Sequence, residues 1–241
     1  MPGFVDLHCH VLPGLDDGPP QLPDAVKLVQ TLVDLGFEEF HPTPHQTAHA
    51  WAPEQRQRLA AAAALRGALK RTGCSAYIAP PAGENMWDEL FLRRTDDLTF
   101  PTYDGGKAFL LEFAPPLTPP QLPERLFEFR VKGLLPVIAH IERYPDILHN
   151  AEKLAGKAAL LVNLGTLGGG FGAWGARARA RKLVAEGVVH AVATDAHGVD
   201  DARDATAGLK WLRRHVGDDA MQQLLVHGPR QILGGEAPDP R

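Results

Sequence analysis

The 241-residue chain contains few cysteines and no long apolar run. Cys9 and Cys74 are its two cysteines, which is too few for a disulfide framework and indicates a reducing cytoplasm. No stretch of about 18 apolar residues occurs, so we expect no membrane insertion. The first residues lack a basic segment followed by an apolar one, so we expect no signal peptide. The net charge of −4, without a basic stripe, argues against nucleic acid as a partner.

Histidine, in contrast, is frequent, with 11 residues in the chain. The segment 4–7 is short and largely apolar, which predicts a buried strand. Side chains two residues apart on a strand share a face, so His8 and His10 should converge, with Asp6 on the same side. Neutral imidazoles are common metal ligands. Taken alone, this pair could equally be two ordinary histidines at the end of a strand.

Strand and helix patterns alternate along the chain. Predicted strands cover 4–7, 37–40, 76–79, 108–113, 135–140, 158–164 and 188–194. Helices are predicted from an N-cap at Asp24 to Gly36, and over 53–73, 122–131, 146–156, 173–186, 202–216 and 218–227. This alternation predicts an α/β fold with a parallel sheet, closed or nearly closed. No composition shift divides the chain, so we expect a single domain over residues 1–241.

Eight histidine, aspartate and glutamate residues lie at or just after the ends of six predicted strands. They are His8, His10, His45, Glu84, Glu112, His140, Asp195 and His197. In a β/α barrel these ends form the mouth of the active site. Such a cluster is costly without cations, so its presence predicts a site for several metal ions. The mixed nitrogen and oxygen ligands suit Mn²⁺, Fe²⁺ or Zn²⁺.

Clustered divalent ions favour hydrolysis, because they make hydroxide available near neutral pH and offset charge on the reacting oxygens. A phosphate ester is the natural substrate class, since its anionic oxygens can bridge metals. Arg143 closely follows His140, and its guanidinium could hold two phosphate oxygens. A surface salt bridge is the alternative role for this arginine.

Motifs along nearly the whole chain resemble those of one superfamily. They occupy residues 6–18, 43–45, 83–84, 111–113, 136–144, 162–163, 194–197 and 228–230. Together they resemble the polymerase and histidinol phosphatase (PHP) superfamily, and within it the bacterial capsule and exopolysaccharide tyrosine phosphatases. The loop that ends in Asp16-Asp17-Gly18 and the segment from His140 to Arg143 indicate this branch.

This resemblance implies a distorted (β/α)7 TIM-like barrel, the PHP fold, with three divalent ions. Manganese is the first choice, with iron or zinc as alternatives. The implied ligand sets are His8, His10, Glu84 and Asp195; Glu84, Glu112 and His140; and Asp17, His45 and His197. Spacing alone would make Asp17 a turn residue. The resemblance also assigns a phosphate contact to Arg143.

The resemblance further implies a metal-dependent protein-tyrosine phosphatase that uses metal-activated hydroxide. Its expected partner is a phosphotyrosine-containing protein, a bacterial tyrosine autokinase in capsule or exopolysaccharide regulation. Neither Cys9 nor Cys74 has an arginine six residues later, so the cysteine-dependent mechanism is excluded. The sequence leaves open whether the protein forms a homo-oligomer.

Three positions depart from the family pattern. A second phosphate-binding arginine would be Arg203, but it is shifted by one residue and lies among acidic residues. Ile141 replaces a proline, and Asn85-Met86 replaces Ile-Arg. Other functions therefore stay open: a small-molecule phosphatase acting on histidinol phosphate, a non-catalytic module that docks a kinase, or an amidohydrolase-like barrel.

Overall fold

The computed structural model describes residues 3–116, 118–147, 154, 156–169 and 174–237. The strands in this part of the chain are β1 Phe4–Cys9, β2 Phe37–Pro42, β3 His45–Gln46, β4 Tyr77–Ile78, β5 Glu84–Met86, β6 Ala108–Glu112, β7 Leu135–Ile138, β8 Ala159–Asn163 and β9 Ala191–Ala193. They alternate with helices, and every strand pair is parallel. The fold is therefore of the α/β class, as predicted.

The helices with bounds in the described chain are α1 Leu22–Val33, α2 Gln55–Arg71, α3 Glu89–Asp97, α4 Leu122–Val131, α5 Leu164–Gly168, α6 Trp174–Ala185, α7 Val199–His215, α8 Gly217–Gln222 and α9 Gly228–Leu233. A π-helical turn, Gln223–His227, joins α8 to α9. Short 3₁₀ turns cover Tyr103–Gly105 and Ile141–Arg143. No helix of the described residues is long and apolar enough to cross a membrane.

Two short strands, β3 and β5, lie outside the predicted strands and each follow prolines. Strands β1, β2 and β4 form one sheet, and β3, β5, β6, β7, β8 and β9 form a second in that order. Pro44 separates β2 from β3, and Pro80-Pro81 lies between β4 and β5. Proline has no N–H for the ladder. Isolated hydrogen bonds still connect the two chain segments between these strands, because the N–H groups of Ala82 and Glu84 donate to the carbonyls of Pro42 and Pro44.

The last strand of the larger sheet meets the first strand of the smaller one. The N–H of Asp195 donates to the His8 carbonyl at 2.8 Å, and the N–H of His10 donates to the Ala196 carbonyl at 3.0 Å. The buried carboxylate of Asp6 adds a side-chain link, because it accepts from the Thr194 N–H at 3.0 Å and from its hydroxyl at 2.6 Å. The parallel sheet is therefore curled.

An apolar cluster lies directly below the C-terminal strand ends. It includes Leu110 on β6, Leu161 on β8 and Ala193 near the end of β9. Side chains alternate along a strand, so the residues two positions further on point to the same side. Those residues are polar: Glu112, Asn163 and Asp195. A second apolar cluster packs the opposite side of the strands against the helices.

The structure corrects two details of the predicted elements. Helix α1 begins at Leu22 with Gln21 as its N-cap, so the prediction of Asp24 as the N-cap was wrong. Proline is favoured in the first turn, and Pro23 starts the helix earlier. The sequence pattern also missed α3, whose charged residues hide its single buried position, Phe91. Most of the predicted helix 146–156 lies outside the described residues. The single-domain organisation of residues 1–241 stays a prediction.

Candidate active site

The nine candidate metal ligands lie together at the C-terminal side of the sheet. They are His8, His10, Asp17, His45, Glu84, Glu112, His140, Asp195 and His197. Most of them close a strand or follow it directly. His45 and Glu84 instead open β3 and β5, where they face each other in register. Three groups of these residues have ligand atoms close enough for a shared cation.

The first group combines His8, His10, Glu84 and Asp195, as predicted. Nε2 of His8 lies 3.2 Å from Glu84 Oε1 and 3.1 Å from Asp195 Oδ1. Nε2 of His10 lies 3.3 Å from Glu84 Oε2 and 3.3 Å from His8 Nε2. The strand spacing therefore brings both imidazoles to one point.

A second group surrounds Asp17 in the loop after β1. Oδ1 of Asp17 lies 3.4 Å from His45 Nε2 and 3.3 Å from His197 Nε2. The imidazole of His10 stacks on that of His197, with centroids 3.9 Å apart. The structure thus brings Asp17, a residue that spacing alone would assign to a turn, beside the two predicted histidines.

The third group joins His45 to two glutamates. His45 Nδ1 lies 3.0 Å from Glu84 Oε2 and 3.4 Å from Glu112 Oε1. His140 Nε2 reaches the same pair, at 2.9 Å from Glu84 Oε1 and 3.6 Å from Glu112 Oε2. The two glutamates are therefore shared between His45 and His140. The predicted set combined them with His140 and did not include His45.

The electrostatics of this cluster favour cations. Burial by itself lowers the pKa of His10, but hydrogen bonds to Asp16 and Glu84 outweigh it and raise the pKa to about 10. Burial opposes ionisation of Glu84, yet the charge of His8 and hydrogen bonds from other histidines hold its pKa well below the usual range. Ionised carboxylates that surround imidazole nitrogens form a donor set that fits divalent ions such as Mn²⁺ or Zn²⁺.

Asp16 supports the cluster, and the sequence reasoning missed its role. Its carboxylate lies 2.7 Å from His10 Nδ1 and accepts from the backbone N–H of His45 at 3.1 Å. It also accepts from the Gly18 N–H at 3.0 Å. A Cβ at Gly18 would lie 2.3 Å from the His10 carbonyl oxygen, so glycine is required there. The Asp16-Asp17-Gly18 motif was the available signal.

Tyr144 supports the cluster from the opposite side. Its hydroxyl lies 3.3 Å from His140 Nδ1 and donates to the Phe113 carbonyl at 3.2 Å. The backbone of His140 is left-handed, with φ of 32°, and a 3₁₀ turn follows. This sharp turn places His140 in the cluster and brings Arg143 back toward it.

A cavity of about 350 Å³ opens above the cluster. Its polar lining includes His45, Glu84, Asn163 and Asp195, and Arg143 is the one lysine or arginine among the described lining residues. Nη2 of Arg143 donates to Asp195 Oδ2 at 2.8 Å, and the arginine side chain is 37% exposed. The predicted arginine therefore stands where an anion would enter.

The structure does not bring Arg203 into this cavity. Its side chain on α7 is 79% exposed and pairs with Asp200 at 2.7 Å. Asp204, the next residue, lines the cavity instead. Successive side chains on a helix are rotated by about a quarter turn. The shift of the arginine by one residue therefore explains why Arg203 points away from the cavity that Asp204 lines.

The curled parallel sheet and the cluster at its strand ends define the class of this protein, an α/β protein with a candidate metal centre at the C-terminal side of its sheet. Residues 4–234 match the model of the family described as "Capsular polysaccharide synthesis, CpsB/CapC", and the chain belongs to this family. This match confirms the predicted resemblance to the capsule and exopolysaccharide phosphatases.

Individual relatives agree with the family match. Tyrosine-protein phosphatase YwqE of Bacillus subtilis is 29% identical over 203 residues, which cover 81% of this chain and 78% of the relative. Tyrosine-protein phosphatase CpsB of Streptococcus pneumoniae is 24% identical over 245 residues, covering 95% and 98%.

A solved structure shares the fold. It comes from a crystallographic study of YwqE from Bacillus subtilis and CpsB from Streptococcus pneumoniae, described there as unique metal-dependent tyrosine phosphatases. It superposes with a TM-score of 0.84 at 25% sequence identity, over 96% of this chain and 95% of the other.

Proposed function

We propose that this protein is a metal-dependent protein-tyrosine phosphatase. The observation that carries the proposal is the position of Arg143 in the wall of a cavity whose floor is the His/Asp/Glu cluster. Cations bound to this cluster would attract an anionic ester. The guanidinium of Arg143 would then bind the oxygens of that ester. The names of the relatives YwqE and CpsB support a phosphotyrosyl substrate.

The three donor sets that the resemblance implies would hold three divalent ions, with manganese as the first choice and iron or zinc as alternatives. His8, His10, Glu84 and Asp195 would hold one ion. Glu84 and Glu112 with His140, and Asp17 with His45 and His197, would hold the others. Bound divalent ions supply a nucleophile near neutral pH and offset charge on phosphate oxygens.

The chain itself contributes binding and orientation. Arg143 can turn from Asp195 to two non-bridging phosphate oxygens, since a guanidinium matches their geometry. The leaving group of phosphotyrosine is a phenolate with a pKa of about 10, so the chain need not supply a strong acid. Cys9 is fully buried and cannot reach a substrate, which supports direct in-line hydrolysis without a phosphocysteine.

We also infer that the sheet closes as a distorted (β/α)7 barrel. If β2 and β3 count as one strand of the barrel, and β4 and β5 as another, the nine strands of the described chain form a barrel of seven. Hydrogen bonds of Ala82 and Glu84 link these two strands, and those of Asp195 and His10 link β9 to β1. These contacts support the inference.

The proposed substrate is the phosphotyrosine of a bacterial tyrosine autokinase that acts in capsule or exopolysaccharide export, with the reaction taking place in the cytoplasm. The family description and the predicted resemblance support this assignment. Co-purification with a candidate kinase tests the partner, and light scattering tests whether the protein is a homo-oligomer.

The decisive experiment compares phosphate release from a phosphotyrosyl peptide and from histidinol phosphate by the Mn²⁺-loaded protein. We expect a clear preference for the peptide. Preference for histidinol phosphate would leave the metal centre in place and replace the proposed substrate. Binding of the peptide without any phosphate release would instead indicate a docking module.

A further inference from the structure

Asn163 is joined to the metal centre through the carboxylate of Asp195. Its Nδ2 lies 2.6 Å from Asp195 Oδ2. A carboxylate oxygen only accepts hydrogen bonds, so the amide nitrogen of Asn163 must face it and donate. Asn163 is 4% exposed and lines the cavity above the cluster. Its side chain therefore belongs to the site, although it is not a metal-ligand candidate.

Asp195 divides its two oxygens between different tasks. Oδ1 lies 3.1 Å from His8 Nε2, inside the first donor group. Oδ2 accepts from both Asn163 and Arg143, at 2.6 and 2.8 Å. The backbone of Asp195 has φ of 53°, in the left-handed region that residues other than glycine adopt only occasionally. Contacts from the surroundings must hold such a residue in place.

A buried glutamate fixes the position of Asn163. The backbone N–H of Asn163 lies 3.3 and 3.4 Å from the two carboxylate oxygens of Glu142. Glu142 is fully buried in the 3₁₀ turn that also carries Arg143. Asn163 is the N-cap residue of the short helix α5, so its backbone is held from both sides. Arg143 and Asn163, the two donors to Asp195, are thus linked through Glu142, which lies beside Arg143 and accepts from the backbone of Asn163.

These two donors differ in what else they can do. Arg143 is partly exposed and is the proposed partner of the substrate phosphate, whereas Asn163 is buried and its Nδ2 donates to Asp195. When Arg143 turns to a phosphate, Asp195 loses one of its two donors on Oδ2. Without a second donor, release of the arginine would leave that oxygen unpaired.

We propose that Asn163 is a positioning residue that keeps the Asp195 carboxylate aligned with His8 while Arg143 binds the substrate phosphate. This inference rests on the proposed phosphatase function. Outer partners of metal ligands orient those ligands, and their loss typically weakens metal binding by about 10- to 100-fold. Asn163 would therefore act on both metal affinity and the availability of Arg143.

The first test measures Mn²⁺ binding to the metal-free protein by isothermal titration calorimetry. Asn163→Leu keeps the branched shape of the side chain and removes the donor, and we expect Mn²⁺ affinity to fall by about tenfold. Thr206→Val is the control, because it removes a hydroxyl that donates to the Ala202 carbonyl within α7, away from the lining of the cavity, and should leave affinity within about twofold. Equal affinity of Asn163→Leu and wild type, or an equal loss in Thr206→Val, overturns the proposal. If Asn163→Leu does not fold, Asn163→Ala is measured in its place.

The second test separates positioning from a general loosening of the fold. With Mn²⁺ saturating for every variant, Asn163→Leu should raise KM for a phosphotyrosyl peptide severalfold when Arg143 is present, because the arginine is then retained by Asp195. In an Arg143→Gln background, the same change should leave KM unaltered. Equal increases in both backgrounds overturn the proposal. If the wild type releases no phosphate, the proposed function fails, and the Mn²⁺ titration still decides the role of Asn163.

Discussion

Glu84 on β5 and His45 on β3 face each other in register, and Oε2 of Glu84 lies 3.0 Å from Nδ1 of His45. The same glutamate contacts His8 and His140 through Oε1. It is 1% exposed. One buried carboxylate therefore connects all parts of the candidate metal centre.

Replacement of this central carboxylate should disable metal binding. Glu84→Gln keeps the shape but removes the charge shared by the donor groups. We expect Mn²⁺ affinity to fall by more than about 100-fold, beyond the loss typical of an outer partner. Calorimetry measures the affinity, and elemental analysis of purified protein measures the bound metal. Glu39→Gln on β2 is the control, since Glu39 pairs with His41 outside the cluster. Retained Mn²⁺ in Glu84→Gln would contradict the assignment.

Removal of metal should abolish catalysis without unfolding the protein. We expect EDTA treatment to stop phosphate release from a phosphotyrosyl peptide and Mn²⁺ to restore it, because the ions supply the nucleophile. Circular dichroism before and after chelation checks that the fold persists. Turnover that survives thorough chelation would rule out the metal-dependent mechanism.

The two arginines should behave differently. Arg143→Ala should remove the proposed charge-assisted hydrogen bond to phosphate, which would contribute roughly 1.5–3 kcal/mol. This corresponds to a decrease in kcat/KM of about 10- to 150-fold. Arg203→Ala should change kcat/KM less than about twofold, because an exposed ion pair contributes little. Steady-state kinetics with both variants decides the point. A large loss in Arg203→Ala would restore the predicted phosphate contact of Arg203.

Cys9 should be chemically inert although it lies between two candidate metal ligands, His8 and His10. It is fully buried, and burial raises the pKa of its thiol well above the usual range. Only thiolates react readily, so we expect iodoacetamide to modify the native protein at the partly exposed Cys74 and not at Cys9. Mass spectrometry of the digested protein locates the label. Cys9→Ala should retain phosphatase activity. Loss of activity in a folded Cys9→Ala variant would indicate a catalytic cysteine.

Much of the site could be predicted because it obeys local rules. His8 and His10 converge since residues two apart on a strand share a face, and Asp195 and His197 follow a strand end. Parallel strands bring their C-terminal ends to one side of the sheet. The predicted strands each overlap an observed one for the same reason, as apolar runs bounded by turn residues signal buried strands.

Other features have no local signature. Asp16, Asn163 and Tyr144 support the cluster through contacts that depend on loop and turn geometry. The one-residue shift of Arg203 was visible in the sequence, but only the structure shows that its side chain on α7 points to solvent. The apolar pattern also missed the short strands β3 and β5, which follow Pro44 and the Pro80-Pro81 pair.

The sequence by itself determined which residues are available as ligands and that they lie near strand ends, because strand periodicity and chain direction fix both. The tertiary structure decided which atoms meet. Glu84 and His140 are 56 residues apart and Asn163 and Asp195 are 32 apart. Such contacts depend on sheet curvature, on the left-handed backbone of His140 and Asp195, and on side-chain rotamers. Packing of the whole chain sets the curvature, the backbone conformation and the rotamers. A short stretch of sequence does not contain that information.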